Sequence, residues 1–243
     1  MDYERTRKKN PLGITINQHF HSAHSISKFC NRDKKVEVFN KETSSILIRK
    51  KDAMIFCAKR NWDERAEHGY MADIEKAFHN QIDNIRTKRD HQAISKYYLL
   101  WQSRYQVHIN RLPNLKLDGI PSDYLTKEQQ EILEKRNVGF VNSDGEMPAR
   151  QATGILIQRN ISELMKRFTN TEWGLLHAKD GHFLCADSYQ NLCFIPVGPK
   201  FAFAAGLSDK LVDIEELALI NKESVLSAKE FYFAKDLKKC PIA

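Results

Sequence analysis

The sequence predicts an α+β fold: a single domain with a mixed sheet, built from N- and C-terminal strands, over a packed central helical layer. Three observations carry this. Short β-prone runs cluster toward both ends of the chain. Between them, from Met71 onward, apolar residues recur at spacings of three and four, which draws helical stripes. No repeat and no Gly-Ser-rich linker divides the 243 residues, and an apolar fraction of 42% suffices for a sizeable core.

Taken in order, residues 1–15 read as a basic flexible arm and 16–243 as the domain. "KKVEVFN" sets Val36 and Val38 on either side of Glu37, the alternation of a strand. Two further β-prone runs fall at 46–48 and 53–58. Met71, Ile74, Phe78, Ile82 and Ile85 then form one helical stripe. A second helix covers about 91–110, with Ile94, Tyr98, Trp101, Tyr105 and His108 on one side, and stops before Pro113. "RLPNLKLDGIPSDYL" is a loop. Thr126 with Gln129 makes a capping box for a short helix to about 136. After the loop "NVGFVNSDGEMP", Pro148 opens a long helix ending near Thr169, its buried side marked by Ile157, Ile161, Leu164, Met165 and Phe168. "EWGLLHA", "HFLCAD", "LCFIPVG" and "FAFAAG" read as strands, and Asp180-Gly181 predicts a hairpin joining the first two. Asn221 is the expected N-cap of a closing helix that leads into a strand at Phe231–Phe233.

Lys and Arg total 38 against 31 Asp and Glu, so the formal charge is +7 and nucleic acid is a candidate partner. The clusters "RTRKK", "RKK" and "RTKR" suit phosphate contact, and equally suit solvated surface. The five cysteines are odd in number and include no Cys-x-x-Cys pair, which fits reduced thiols in a cytoplasmic protein. The opening "MDYERTRKKNP" has no apolar run, and no window holds the ~18 apolar residues of a membrane span. The expectation is a cytoplasmic protein without a membrane partner. No Walker loop, Gly-x-Gly-x-x-Gly, Gly-x-Ser-x-Gly or His-Glu-x-x-His occurs, which removes simple readings as a P-loop NTPase, Rossmann enzyme, α/β-hydrolase or zincin.

Candidate chemistry centres on "QHFHSAH". His19 and His21 share a face if this stretch is a strand, and His21 and His24 are neighbours if it is a helix. A boundary near Ser22 would let all three converge. They are candidates for general acid or base, for ligands to Zn, Mn, Ni or Fe alongside carboxylates, or for structural rings that fix a helix start. The stretch does not read as a zinc finger, because no paired cysteines accompany the histidines. The identity of any metal or cofactor stays open. Glu75 sits beside the Met71–Phe78–Ile82 stripe, where a carboxylate needs a partner unless it is a solvated flank. Asp187 ends the apolar run "FLCAD", as a catalytic acid at a strand end or as the start of a turn. Arg104, between Trp101 and Tyr105, is a candidate phosphate ligand or partner for Glu75, and His24 is the other candidate substrate contact.

Four landmarks fall in an order that resembles a family. "QHFHSAHSISKFCNRDKKVEVFNK" stands where that family has a His-His-Tyr-Val-Pro-type opening. "IFCAKRNWDERAEHGYMADIEKAFHNQI" stands for its glutamate-bearing helix, with Glu75 in the matching place. "HFLCADSYQNLCFIPVGPKFAF" stands for its Ser-Asp-x-Pro strand and successor, with Asp187 matching, and "LINKESVLSAKEFYFAKD" for its ending. The chain thus resembles the bacterial domain-of-unknown-function family four-two-three-eight over about 16–236. It departs at Ser22-Ala23 in place of Val-Pro and at Tyr189 in place of proline. The resemblance implies a context and no reaction: some members stand in antiviral defence islands. It favours an antiviral effector acting on nucleic acid, such as an RNA- or DNA-cleaving toxin. The alternative is a non-enzymatic sensor that binds a phage-encoded trigger or nucleic acid. Oligomeric state stays open.

Overall fold

The computed structural model describes residues 3–85, 88–119, 124–189 and 192–243, and its fold is α+β. The elements run β1 (Asn17–His19), α1 (Ala23–Ser27), β2 (Lys35–Asn40), β3 (Ser45–Lys50), β4 (Cys57–Lys59), α2 (Glu64–His68), α3 (Tyr70–Asp83), α4 (His91–Ile109) and β5 (Leu115–Lys116). They continue with α5 (Lys127–Lys135), β6 (Glu146–Met147), α6 (Ala149–Met165), β7 (Trp173–Ala178), β8 (Cys185–Ala186), β9 (Phe194–Pro196), β10 (Phe201–Ala205), β11 (Lys210–Val212), α7 (Ile214–Ser227) and β12 (Phe231–Ala234).

Strands from both ends do share a sheet, in the order β3-β2-β12-β8. A second four-stranded sheet, β11-β7-β10-β9, is mixed, because β11 runs parallel to β7 while the other pairs are antiparallel. Between the sheets lies α4, buried nearly all round. Trp101 faces the first sheet, donating through its indole N–H to the Asp187 carbonyl at 3.0 Å. Trp173 of β7 reaches α4 from the second sheet and donates to Ser95 Oγ at 2.8 Å. Helix α3 lies against α4 with the Phe78 and Tyr97 rings stacked at 3.8 Å.

Several expectations need correction. The run 53–58 is a 3-10 turn over Met54–Phe56 followed by only three residues of strand. Asp180-Gly181 does turn the chain, with Gly181 at φ +70°, but β7 and β8 do not pair: they belong to different sheets. Asn221 is not an N-cap. Asp213 caps α7, and Asn221 sits buried inside that helix. Residues 3–14 are tied down rather than hanging as an arm: the Arg7 backbone N–H donates to Glu131 at 2.7 Å, and Glu4 meets Arg60 and Arg150. The Thr126–Gln129 capping box forms as expected. Parts of the "RLPNLKLDGIPSDYL" loop and of the "RTKR" cluster lie outside the described residues.

Candidate acid–base site

Strand β1 ends at His19, and Ser22 caps α1 by accepting from the Ser25 N–H at 3.2 Å. This short break sends the three imidazoles three ways. His21 enters the core, its ring 4.1 Å from that of Trp101 and its Nδ1 3.1 Å from the Tyr97 hydroxyl. Burial drives its pKa down to about 3, so it stays neutral through the physiological range. His24 turns outward to Asp83 at 3.0 Å, beside Lys28 on the same carboxylate and 4.3 Å from the His79 ring. Convergence of the three on one point is therefore not what the chain does. Among the described residues, no three His, Cys, Asp or Glu side chains are placed to share a metal ion.

His19 is half-buried, with Nε2 3.1 Å from the Lys51 carbonyl. A carbonyl only accepts, so Nε2 carries the proton and Nδ1 keeps its lone pair. Burial lowers the His19 pKa, which keeps that lone pair available at neutral pH. Glu75, Glu67 and Arg104 are the charges that act on it.

Arg104 organises the carboxylates. It comes from α4, is 2% exposed, and its guanidinium lies 5.2 Å from the centroid of the Trp62 ring. Nη1 donates to Glu75 Oε1, and Nη2 faces Glu67 at 3.8 Å. The Trp62 indole N–H donates to the same Glu67 oxygen. Burial works against the cation, but Glu75 and Glu67 together hold the Arg104 pKa above its ordinary value. Arg104 is too enclosed to serve as the expected substrate contact, and it meets the other expectation, partner to Glu75. Arg104 thus gathers Glu67 and Glu75, and the charge of all three acts on His19.

Asp187 stands apart. Its carboxylate accepts from the backbone N–H groups of Lys229, Glu230 and Phe231 at 2.9, 2.6 and 2.9 Å, and from the Tyr105 hydroxyl at 2.9 Å. Burial raises its pKa against these four donors. The group expected as an assisting acid ties β8 to the start of β12, and 1% exposure leaves it no substrate to meet. A cavity of about 690 Å3 opens nearby, lined by His108, Glu230, Lys41 and Lys229, with Asp187 beneath it rather than in its wall.

Sequence reasoning missed Glu67 and Trp62. A local signal existed: Asp63 accepts from the Ala66 N–H as the N-cap of α2, and "DERAEH" reads as a capped acidic turn. Nothing local says that this turn faces Arg104, 37 residues later in sequence. Comparison with protein-family models, curated proteins and solved structures yields no match. No described helix is long and apolar enough to cross a membrane.

Proposed function

We propose that this protein is a cytoplasmic anti-phage effector that cleaves nucleic acid, RNA first, through acid–base chemistry of its own side chains. The observation that carries the reading is His19, held by the Lys51 carbonyl in the tautomer that offers Nδ1 as a base, and under the charge of two carboxylates that a buried arginine clamps. RNA brings its own nucleophile. His19 Nδ1 takes the proton of a 2′-hydroxyl, the 2′-oxygen attacks phosphorus, and the 5′-oxygen leaves with a proton from water. Glu75 and Glu67 stabilise the imidazolium that forms, and Arg104 positions them. Lys51 and its basic neighbours Arg49 and Lys50 supply phosphate contacts. The antiviral context rests on the family resemblance, and nucleic acid as the target on the net charge of +7.

The test is direct. Purified protein should cleave single-stranded RNA, and His19→Ala should abolish both cleavage and protection of cells from phage while the fold persists. Protection that survives replacement of His19, His21 and His24 together, in a folded protein, overturns the reading.

One observation favours a second reading, a non-enzymatic sensor. On the outward face of the edge strand β3, Ile46 and Ile48 are 54% and 49% exposed. Ile46 continues the row of Phe39 on Tyr232, whose centroids lie 5.0 Å apart, and Ile48 stands opposite Glu37 two residues along. An apolar face of this kind suits a protein trigger. Loss of protection in Ile46→Asp/Ile48→Asp, with His19→Ala still protective, would select the sensor.

A further inference from the structure

A second concentration of buried charge lies where residues 3–10 cross α5 and α6. Arg60, just past β4, is held at φ +43°, a left-handed conformation uncommon for a residue with a side chain. Its Nη2 donates to Glu134 Oε2 at 2.6 Å and its Nη1 to the Glu4 carbonyl at 3.0 Å. Arg150, in the first turn of α6, is 3% exposed. Its Nε donates to the same Glu134 oxygen at 2.9 Å, and its Nη1 meets the Glu4 carboxylate. Its Nη2 is buried and has no partner among the described residues. Lys127 takes the other Glu4 oxygen. A cavity of about 260 Å3 opens among Glu4, Arg60, Arg111, Asn114 and Arg150.

The charges here are unevenly held. Two guanidiniums are fully inside, and they share one fully inside carboxylate, Glu134. The second anion they need comes from Glu4, whose side chain is 40% exposed and sits on the N-terminal segment. Three cations, from the loop after β4, from α5 and from α6, close on that one carboxylate. A singly charged carboxylate with two oxygens leaves Arg150 Nη2 unused. A phosphate monoester carries up to two charges and three terminal oxygens, and it matches planar guanidinium forks two bonds at a time. A phosphodiester inside a strand has one charge and two terminal oxygens and offers no such gain.

We propose that this pocket is a binding site for a terminal phosphate, and that Glu4 is the internal carboxylate that fills it until such a ligand displaces the N-terminal segment. The site shares no residue with the His19 group, so its test stands whether or not the protein cleaves RNA.

Three probes serve: inorganic phosphate, and one short single-stranded oligonucleotide carrying either a 5′-phosphate or a 5′-hydroxyl. Affinity is read by calorimetry and by the rise in Tm. Glu4→Gln keeps the shape and removes the competing charge, so it should bind phosphate about tenfold tighter than the unaltered protein. Arg150→Gln, added to Glu4→Gln, should abolish that binding. Because Arg150 is buried and its loss can unfold the chain, Arg111→Gln at the more open rim is the second variant, with an expected loss of about tenfold and an unchanged circular dichroism spectrum. Preference for the 5′-phosphate strand over its 5′-hydroxyl twin identifies a nucleic-acid end as the ligand, and binding of inorganic phosphate alone identifies free phosphate. The proposal fails if Glu4→Gln binds neither, if it binds no tighter than the unaltered protein, or if folded Arg111→Gln binds as well as its parent.

Discussion

His19 and His21 are two residues apart, yet one keeps a ring nitrogen at the surface of the fold and the other packs in the core. The difference is local. His19 closes a strand whose neighbour, the turn after β3, offers a carbonyl, and His21 falls between Tyr97 and Trp101 inside the core. The two should separate in their response to pH. In the proposed reaction His19 is the base, so cleavage would depend on its neutral form, and its pKa is lowered by burial. The cleavage rate should hold as pH falls to the ordinary histidine value of 6.5 and decline only below it; a rate already halved well above pH 6.5 would contradict this. His21 bears on stability instead. Its folded pKa of about 3 lies below the ordinary histidine value of 6.5, so above pH 6.5 it is neutral in both states and contributes nothing. Below that pH the unfolded chain binds the proton and the folded chain does not, so stability falls as pH falls, by up to about 1.4 kcal/mol per pH unit. His21→Phe should flatten this part of the stability curve between pH 6 and 4 in urea titrations. An unchanged slope would mean that His21 already accepts a proton in the fold.

At the scale of elements, the sequence was legible where a signal is local and obscure where it is not. The stripe from Met71 became α3, and Thr126 with Gln129 became the cap of α5, because both depend on residues within one or two turns. Pairing of β8 with β12 joins residues 46 or more apart, and no spacing near Asp180-Gly181 announces it. The same holds for the site. Glu75 shows itself as a carboxylate on the edge of an apolar stripe and Arg104 as one candidate partner, but Glu67 joins them through Trp62 and Arg104, which no local spacing announces. Asn221 is the instructive case. Near a helix start it reads as a cap, yet it lies mid-helix because its amide joins three segments: it accepts from the Leu184 N–H at 3.1 Å and donates to the His182 and Pro241 carbonyls at 2.9 and 3.0 Å. Asn221→Ala removes all three bonds and leaves buried backbone groups unpaired, so it should destabilise the fold by about 2–4 kcal/mol. Asp213→Ala, at the true cap, should lose only about 1 kcal/mol. Urea denaturation ranks the two, and the reverse order would restore Asn221 as the residue that starts α7.

For the molecule as a whole, the N-terminal segment decides how the helical layer is closed. The basic letters of "RTRKK" read as a solvated arm because their partners are distant: Arg7 finds Glu128 and Glu131, more than 120 residues further along the chain. Glu131 is fully buried and its carboxylate is met by both the backbone and the side chain of Arg7. Asn10 adds a turn, exchanging hydrogen bonds with the Ile14 backbone at 2.8 and 3.0 Å, and this leads the chain into β1. Removal of residues 1–10 would strand a buried carboxylate on α5 and take Glu4 from Arg150, and breaking buried pairs from one side is the damaging way to break them. The shortened chain should therefore unfold at a lower urea concentration than the full chain and become open to proteolysis within α5 before global unfolding. Added salt should narrow the gap little, because buried pairs are screened far less than exposed ones. A shortened chain with an unchanged urea midpoint and a protected α5 would return residues 1–15 to the status of a free arm, and with it remove Glu4 as the occupant of the arginine pocket.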